Sequence, residues 1–242
     1  MITSDGSQLP VARPTNREAR IAGLLYLLAG MPAPFGSLQA PAALRVPGDP
    51  AATLQHIVQS PGLLRGGVLA ELASAVLLML AAAALRRLFA AVDRWNGDLV
   101  LVLASLPAAI VFSGVATQLA ALAVAQGALG PDASALTPPI ALMLTEIHRV
   151  GIGLANIFWG LWIIPLGVLV IRCRFIPSMI GWALIAGGAS YVAASVIAIA
   201  WPPLLPIANP VSWTIGGLAE FTFILWLLIR GAGTVRAAAT AS

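Results

Sequence analysis

Residues 150–171 read VGIGLANIFWGLWIIPLGVLVI, an uncharged run held between Arg149 and Arg172. As a helix rising about 1.5 Å per residue, such a run is long enough to cross the roughly 30 Å hydrocarbon core of a bilayer. Five further apolar runs approach or exceed the same length, at residues 17–38, 66–85, 99–125, 176–200 and 211–229. The whole chain is 60% hydrophobic and 9% charged, where a soluble domain carries about 25% charged residues. A water-soluble fold of 242 residues has no interior large enough to hide that much apolar surface. The expected fold is therefore all-α, a polytopic membrane protein built as a six-helix transmembrane bundle.

The arginines set the orientation. All 13 basic residues are Arg, and they stand singly or in pairs at the ends of the apolar runs rather than on one basic face, which excludes a nucleic-acid surface. With the N-terminus inside, Arg13, Arg17, Arg20, Arg86, Arg87, Arg94, Arg172, Arg174, Arg230 and Arg236 are cytoplasmic. Only Arg45, Arg65 and Arg149 lie outside. Short cytoplasmic loops retain positive charge, so both termini are expected in the cytoplasm. The exclusive use of Arg and the abundance of Ala point to a GC-rich bacterial genome, and hence to a bacterial plasma membrane.

Residues 1–16 read as a disordered tail, 17–231 as the transmembrane domain and 232–242 as a second cytoplasmic tail. The first apolar run resembles a secretory signal, but Pro41 at the would-be first mature position disfavours cleavage, and the run is read as a retained helix. Asp49 followed by Pro50 predicts an N-capped helix on the outer surface between the first two spans. The apolar residues before Arg149 extend the fourth span outward, to residues 140–171, which implies tilt or protrusion. Pro165 should kink its lower part. Trp95 and Trp201 flank spans as an aromatic belt would. Cys173 can form no intramolecular disulfide and reads as a bystander. Gly187, Gly188, Gly216 and Gly217 read as sites of close helix approach.

Ionisable groups within apolar spans are costly, face the bundle interior and mark function by default. Here they are Glu71, Glu146, His148, Arg149 and Glu220. Glu220 lies ten residues before Arg230, about 15 Å from that helix end, and is the most deeply placed charge. Glu146, Arg149, Gly153, Asn156 and Gly160 share one helical face by spacings of three and four. The expectation is an outward-opening polar pocket formed by Glu71, Glu146, His148, Arg149 and Asn156, with Glu220 at its floor and Ser74, Ser113 and Thr117 completing the lining. The competing reading is a structural clasp of Glu146 or Glu71 on Arg149.

Catalytic signatures are sparse. His148 with Glu146 is the one acid and base pair to hand for an intramembrane lipid-modifying enzyme. His148 with Glu146 and Glu71 or Glu220 could ligate a metal, but no dense ligand motif supports a metal or any cofactor. Bis-histidine haem ligation would need His56 and His148 on facing helices. No nucleophile elbow or phosphate-binding glycine loop is present. The functional expectation is small-molecule or proton-linked binding or transport. A non-catalytic scaffold or sensor subunit is the alternative. Expected partners are the lipid bilayer, a small-molecule or lipid ligand, and a second copy or another membrane protein.

Four phrases carry a resemblance: ARIAGLLYLL at 19–28, VPGDPAAT at 46–53, EIHRVG at 146–151 and LAEFTFILWLLIRG at 218–231. In this order and spread they resemble a bacterial membrane protein family known as domain of unknown function 4386. The resemblance implies a helical bundle in the plasma membrane of bacteria and carries over no catalytic residue.

Overall fold

The computed structural model describes residues 14–232. Among them every regular element is helical, and six helices are long and apolar enough to cross a membrane. The first, α1 (Asn16–Leu44), opens with Thr15 as N-cap, whose hydroxyl accepts from the Glu18 backbone N–H while Glu18 returns the bond to Thr15. This capping box places the helix start one residue before the expected one. Helix α2 (Pro50–Gln59) is the predicted surface helix, with Asp49 accepting from the Ala52 backbone N–H at 2.9 Å. The remaining spans are α3 (Pro61–Leu88), α4 (Arg94–Ala125), α5 (Thr137–Arg172), α6 (Ser178–Ala200) and α7 (Leu205–Ile229). All of these but α6 outrun their apolar runs at one or both ends, while α6 starts two residues inside its run, after Pro177.

The spans close into a ring. Each packs on its neighbours in the order α1, α3, α4, α5, α6, α7 and back to α1, with α2 lying against α5 and α4. Both described ends of the chain lie on one face of this ring, with the 89–93 and 173–177 connections, and we call it the terminal face. The opposite loop face carries α2 and the connections at 126–136 and 201–204. Arg17, Arg20, Arg86, Arg87, Arg94, Arg172, Arg174 and Arg230 sit toward the terminal face, and Arg45, Arg65 and Arg149 toward the loop face.

Lipid tails are as apolar as the side chains, so helices in a bilayer associate through close packing rather than water exclusion. Along α5 and α6 that packing comes from glycines seven residues apart. A Cβ on Gly160 would stand 2.5 Å from the Gly188 carbonyl oxygen, and one on Gly167 would stand 2.6 Å from that of Gly181. No side chain fits at either crossing.

The ring interior differs from end to end. Toward the terminal face it is filled by Tyr26, Leu85, Trp162, Leu166, Phe223 and Leu227 in one buried cluster. A second cluster joins α2, α3, α4 and α5 on one side of the loop-face half through Ile57, Leu64, Val68, Val111 and Val115. Between α1, α5, α6 and α7 that half is not filled, and two adjoining clefts remain.

Candidate functional site

The larger cleft encloses about 480 Å³ and opens on the loop face. Its polar lining includes Ser37 of α1, Arg45 just beyond that helix, Gln118 of α4, Thr145, His148, Arg149 and Asn156 of α5, and Ser195 and Asn209 of α6 and α7. The second cleft, about 400 Å³, is bounded by α1, α3, α5, α6 and α7 and reaches Glu220. Ser37, Asn156, Trp159 and Trp213 line both, so the two clefts share a wall.

Three buried polar side chains from three spans meet beside the first cleft. Gln118 Nε2 lies 2.9 Å from His148 Nε2 and 3.4 Å from Glu71 Oε2, and Glu71 Oε1 lies 3.4 Å from His148 Nε2. Glu71 and His148 are each 1% exposed. Glu71 sits behind the other two and does not itself line the cleft. With the Gln118 amide donating to both partners, His148 Nε2 is an acceptor facing an acceptor oxygen of Glu71. The one lone pair of Nε2 can accept from Gln118 or carry a proton toward Glu71 Oε1, but not both, so the His148–Glu71 contact is attractive only when the imidazole or the carboxyl is protonated. Glu71 Oε1 and His148 Nδ1 have no hydrogen-bond partner, which is unusual for buried polar atoms.

Local sequence makes the space for this cluster. A Cβ on Gly114 would stand 2.9 Å from His148 Nδ1, and one on Gly36 would stand 2.7 Å from the Glu71 backbone N. Gly36 belongs to a π-helical turn, Phe35–Gln39, within α1. Pro32 and Pro34 just before it supply no backbone N–H, and such wide turns are common at functional sites. The turn presses α1 onto Glu71 and places Ser37 on both clefts.

Glu220 has a different setting. The Tyr26 hydroxyl donates to its Oε2 and the Tyr191 hydroxyl to its Oε1, the latter at 3.2 Å. These are the chain's two tyrosines. Tyr26 is held by Trp162, ring centroids 5.2 Å apart, and by Phe223 at 6.5 Å. Tyr191 is held against Gly216, where a Cβ would stand 2.4 Å from its ring. The carboxyl is thus fixed from α1, α6 and α7 at once.

A family model described as Domain of unknown function (DUF4386) matches residues 21–231. The chain belongs to that family. The DUF4386 match takes in five spans whole and the first from residue 21 onward, with both clefts and both carboxyl clusters. No curated protein and no solved structure matches the chain significantly.

In this DUF4386 chain the residues singled out by depth do not form one pocket. Glu71 and His148 come together, and Asn156 lines both clefts, but Glu220 belongs to the second cleft and to the tyrosines. Glu146 turns away from His148 to the rim. It binds Arg149 at 2.7 Å and Arg45 at 2.8 Å. The carboxylate facing His148 is therefore Glu71, and the structural clasp is Glu146 on Arg149. Gly153 faces the first cleft and Gly160 packs on α6. Ser74 lines the second cleft and donates to the Ala29 carbonyl at 2.7 Å. Ser113 is exposed on the outer surface of α4, and Thr117 bonds its own helix at Gly114, so neither lines a cleft. Of the four glycines read as packing sites, Gly217 faces open space at the second cleft instead. Among the described residues no three His, Cys, Asp or Glu side chains converge as metal ligands. The proposed tails fall largely outside the described residues.

Sequence reasoning missed Gln118, Ser37, Tyr26 and Tyr191. The signals were present but weak: a buried amide within an apolar span, prolines inside span one, and a tyrosine count of two.

Proposed function

We propose that this protein is a proton-linked binding or transport protein of the membrane, acting on a small molecule through the clefts of its loop-face half. The observation that carries the reading is the placement of two independent buried carboxyl clusters, Glu71 with Gln118 and His148, and Glu220 with Tyr26 and Tyr191, on adjoining clefts inside one ring of helices. A purely structural polar contact needs neither an open cleft nor an unpaired buried atom. Intramembrane carboxyl and histidine groups facing a cavity are the usual elements of a proton relay. The arginine distribution supports a bacterial plasma membrane with the terminal face cytoplasmic, so that the first cleft opens outward.

Infrared difference spectroscopy of the reconstituted protein across pH tests the reading. The expected result is reversible titration of carboxyl bands that disappear separately in Glu71→Gln and Glu220→Gln. If neither variant removes a titrating band, both carboxyls are static and the proton-linked reading fails.

A further inference from the structure

We propose that the second cleft binds lipophilic organic cations that enter from the bilayer between α1 and α7, with Glu220 as their counter-charge. This rests on the proton-linked reading above and names the ligand class for its deeper site.

The first ground is the lining. Tyr26, Trp159, Trp162, Tyr191, Trp213 and Phe221 surround the cleft, so both tyrosines and three of the chain's seven tryptophans are gathered at one site. Aromatic faces carry negative quadrupole potential and attract cations, most strongly when water is excluded. The second ground is charge. Among the described residues no Arg or His pairs with Glu220. Tyr26 from α1 and Tyr191 from α6 are the titratable groups facing it, while α3 and α5 present Ser74, Trp159 and Trp162. Two phenol donors can hold a carboxylate, but its charge still has to be balanced, by a proton or by a bound cation. The exchange balances as protonated Glu220 plus cation giving the carboxylate–cation pair plus a proton released to solvent.

The third ground is the entrance. Met31 on α1 and Phe221 on α7 line the cleft yet are 68% and 51% exposed on the lipid-facing surface. Gly30 and Gly217 line it too, and a Cβ at either would meet nothing within 4 Å. Toward the terminal face the same helices are in tight contact, a Cβ on Gly23 lying 2.9 Å from the Leu227 Cβ. The opening therefore lies at mid-depth, where a hydrophobic cation dissolves, and not at the aqueous surface.

Tetraphenylphosphonium and tetraphenylborate have nearly the same shape and opposite charge. Equilibrium binding of each to protein in lipid nanodiscs, with empty nanodiscs as the blank, tests the proposal. The expected result is phosphonium binding at least about tenfold tighter than borate, a preference equivalent to about 1.4 kcal/mol. Glu220→Gln should abolish that preference, and phosphonium binding should release a proton in wild type but not in the variant. Gly217→Leu, which adds bulk at the entrance where a Cβ meets nothing within 4 Å, should weaken both probes together. Equal affinity for the two probes, or a preference that survives Glu220→Gln, overturns the cation assignment. If Glu220 nevertheless titrates in the infrared, proton linkage stands and only the ligand class falls. A Glu220 that neither titrates nor releases a proton removes the cation exchange, and the proton-linked reading falls with it only if Glu71 is static as well.

Discussion

The two ends of α5 lie in one continuous helix and meet opposite surroundings. From Trp162 to Val170 its inward residues are fully packed against α1, α6 and α7. From Thr145 to Trp159 the inward positions face the clefts, and His148 is buried against Gln118 and Glu71. Composition separates these halves only in part, since the loop half carries Glu146, His148, Arg149 and Asn156 within a run that is otherwise apolar. What separates them is the company each keeps: glycines at 160 and 167 let α6 close on the terminal half, while polar side chains and a π-helical turn of α1 hold the loop half open. One half acts as the scaffold, and the other is left free to bind.

That contrast can be broken by substitution. The largest effect is expected in the scaffold half, where Gly167→Leu would drive a side chain into the Gly181 backbone. The expected loss is about 3 kcal/mol, the upper end for overpacking, read as a shift in detergent-induced unfolding followed by circular dichroism. His148→Ala in the cleft half should cost less, about 1 to 2 kcal/mol for leaving Gln118 and Glu71 short of a partner, while changing the titration of the Glu71 carboxyl band. Equal destabilisation by the two would erase the distinction between scaffold and site. The smallest effect belongs outside the bilayer, at Asp93. Hydrogen bonds from the Asn96 side chain and backbone, with a smaller contribution from Arg172, hold its carboxyl below the usual range. Stability from that shift is present above the ordinary aspartate value of about 3.9 and is lost as pH falls through the folded value. Asp93→Asn should therefore lower the melting temperature slightly near neutrality, where that stability is present, and flatten the acid side of the profile so that the variant and wild type converge below about pH 4.

The architecture was largely legible because it follows from additive quantities. Run length gives the spans, and Asp49 with Pro50 gives the surface helix. The site was half legible. Depth along a helix marks Glu71, His148 and Glu220 without knowledge of their partners, since a charge in an apolar run is conspicuous alone. It says nothing of direction around the helix at a span end, which is why Glu146 is expected in the pocket and instead clasps Arg45 and Arg149 at its rim, while Arg149 does line the first cleft. Gln118 and the two tyrosines are neutral and carry no such mark. Their role exists only once α1, α4 and α6 are brought beside the carboxyls, and closure of the ring is a tertiary fact.

Cysteine accessibility tests the division of the bundle most directly. The native thiol gives little background, because Cys173 is buried and burial pushes it up to about 11. Gly153 lines the first cleft, and a Cβ there meets nothing within 4 Å, whereas Leu166 is 0% exposed in the packed half. With the protein in nanodiscs, so that both faces meet a water-soluble maleimide, Gly153→Cys should be modified readily and Leu166→Cys should stay unmodified until the protein is unfolded. Protection at both positions would mean that the loop-face half is as closed as the rest, and the account of an open binding half would be wrong.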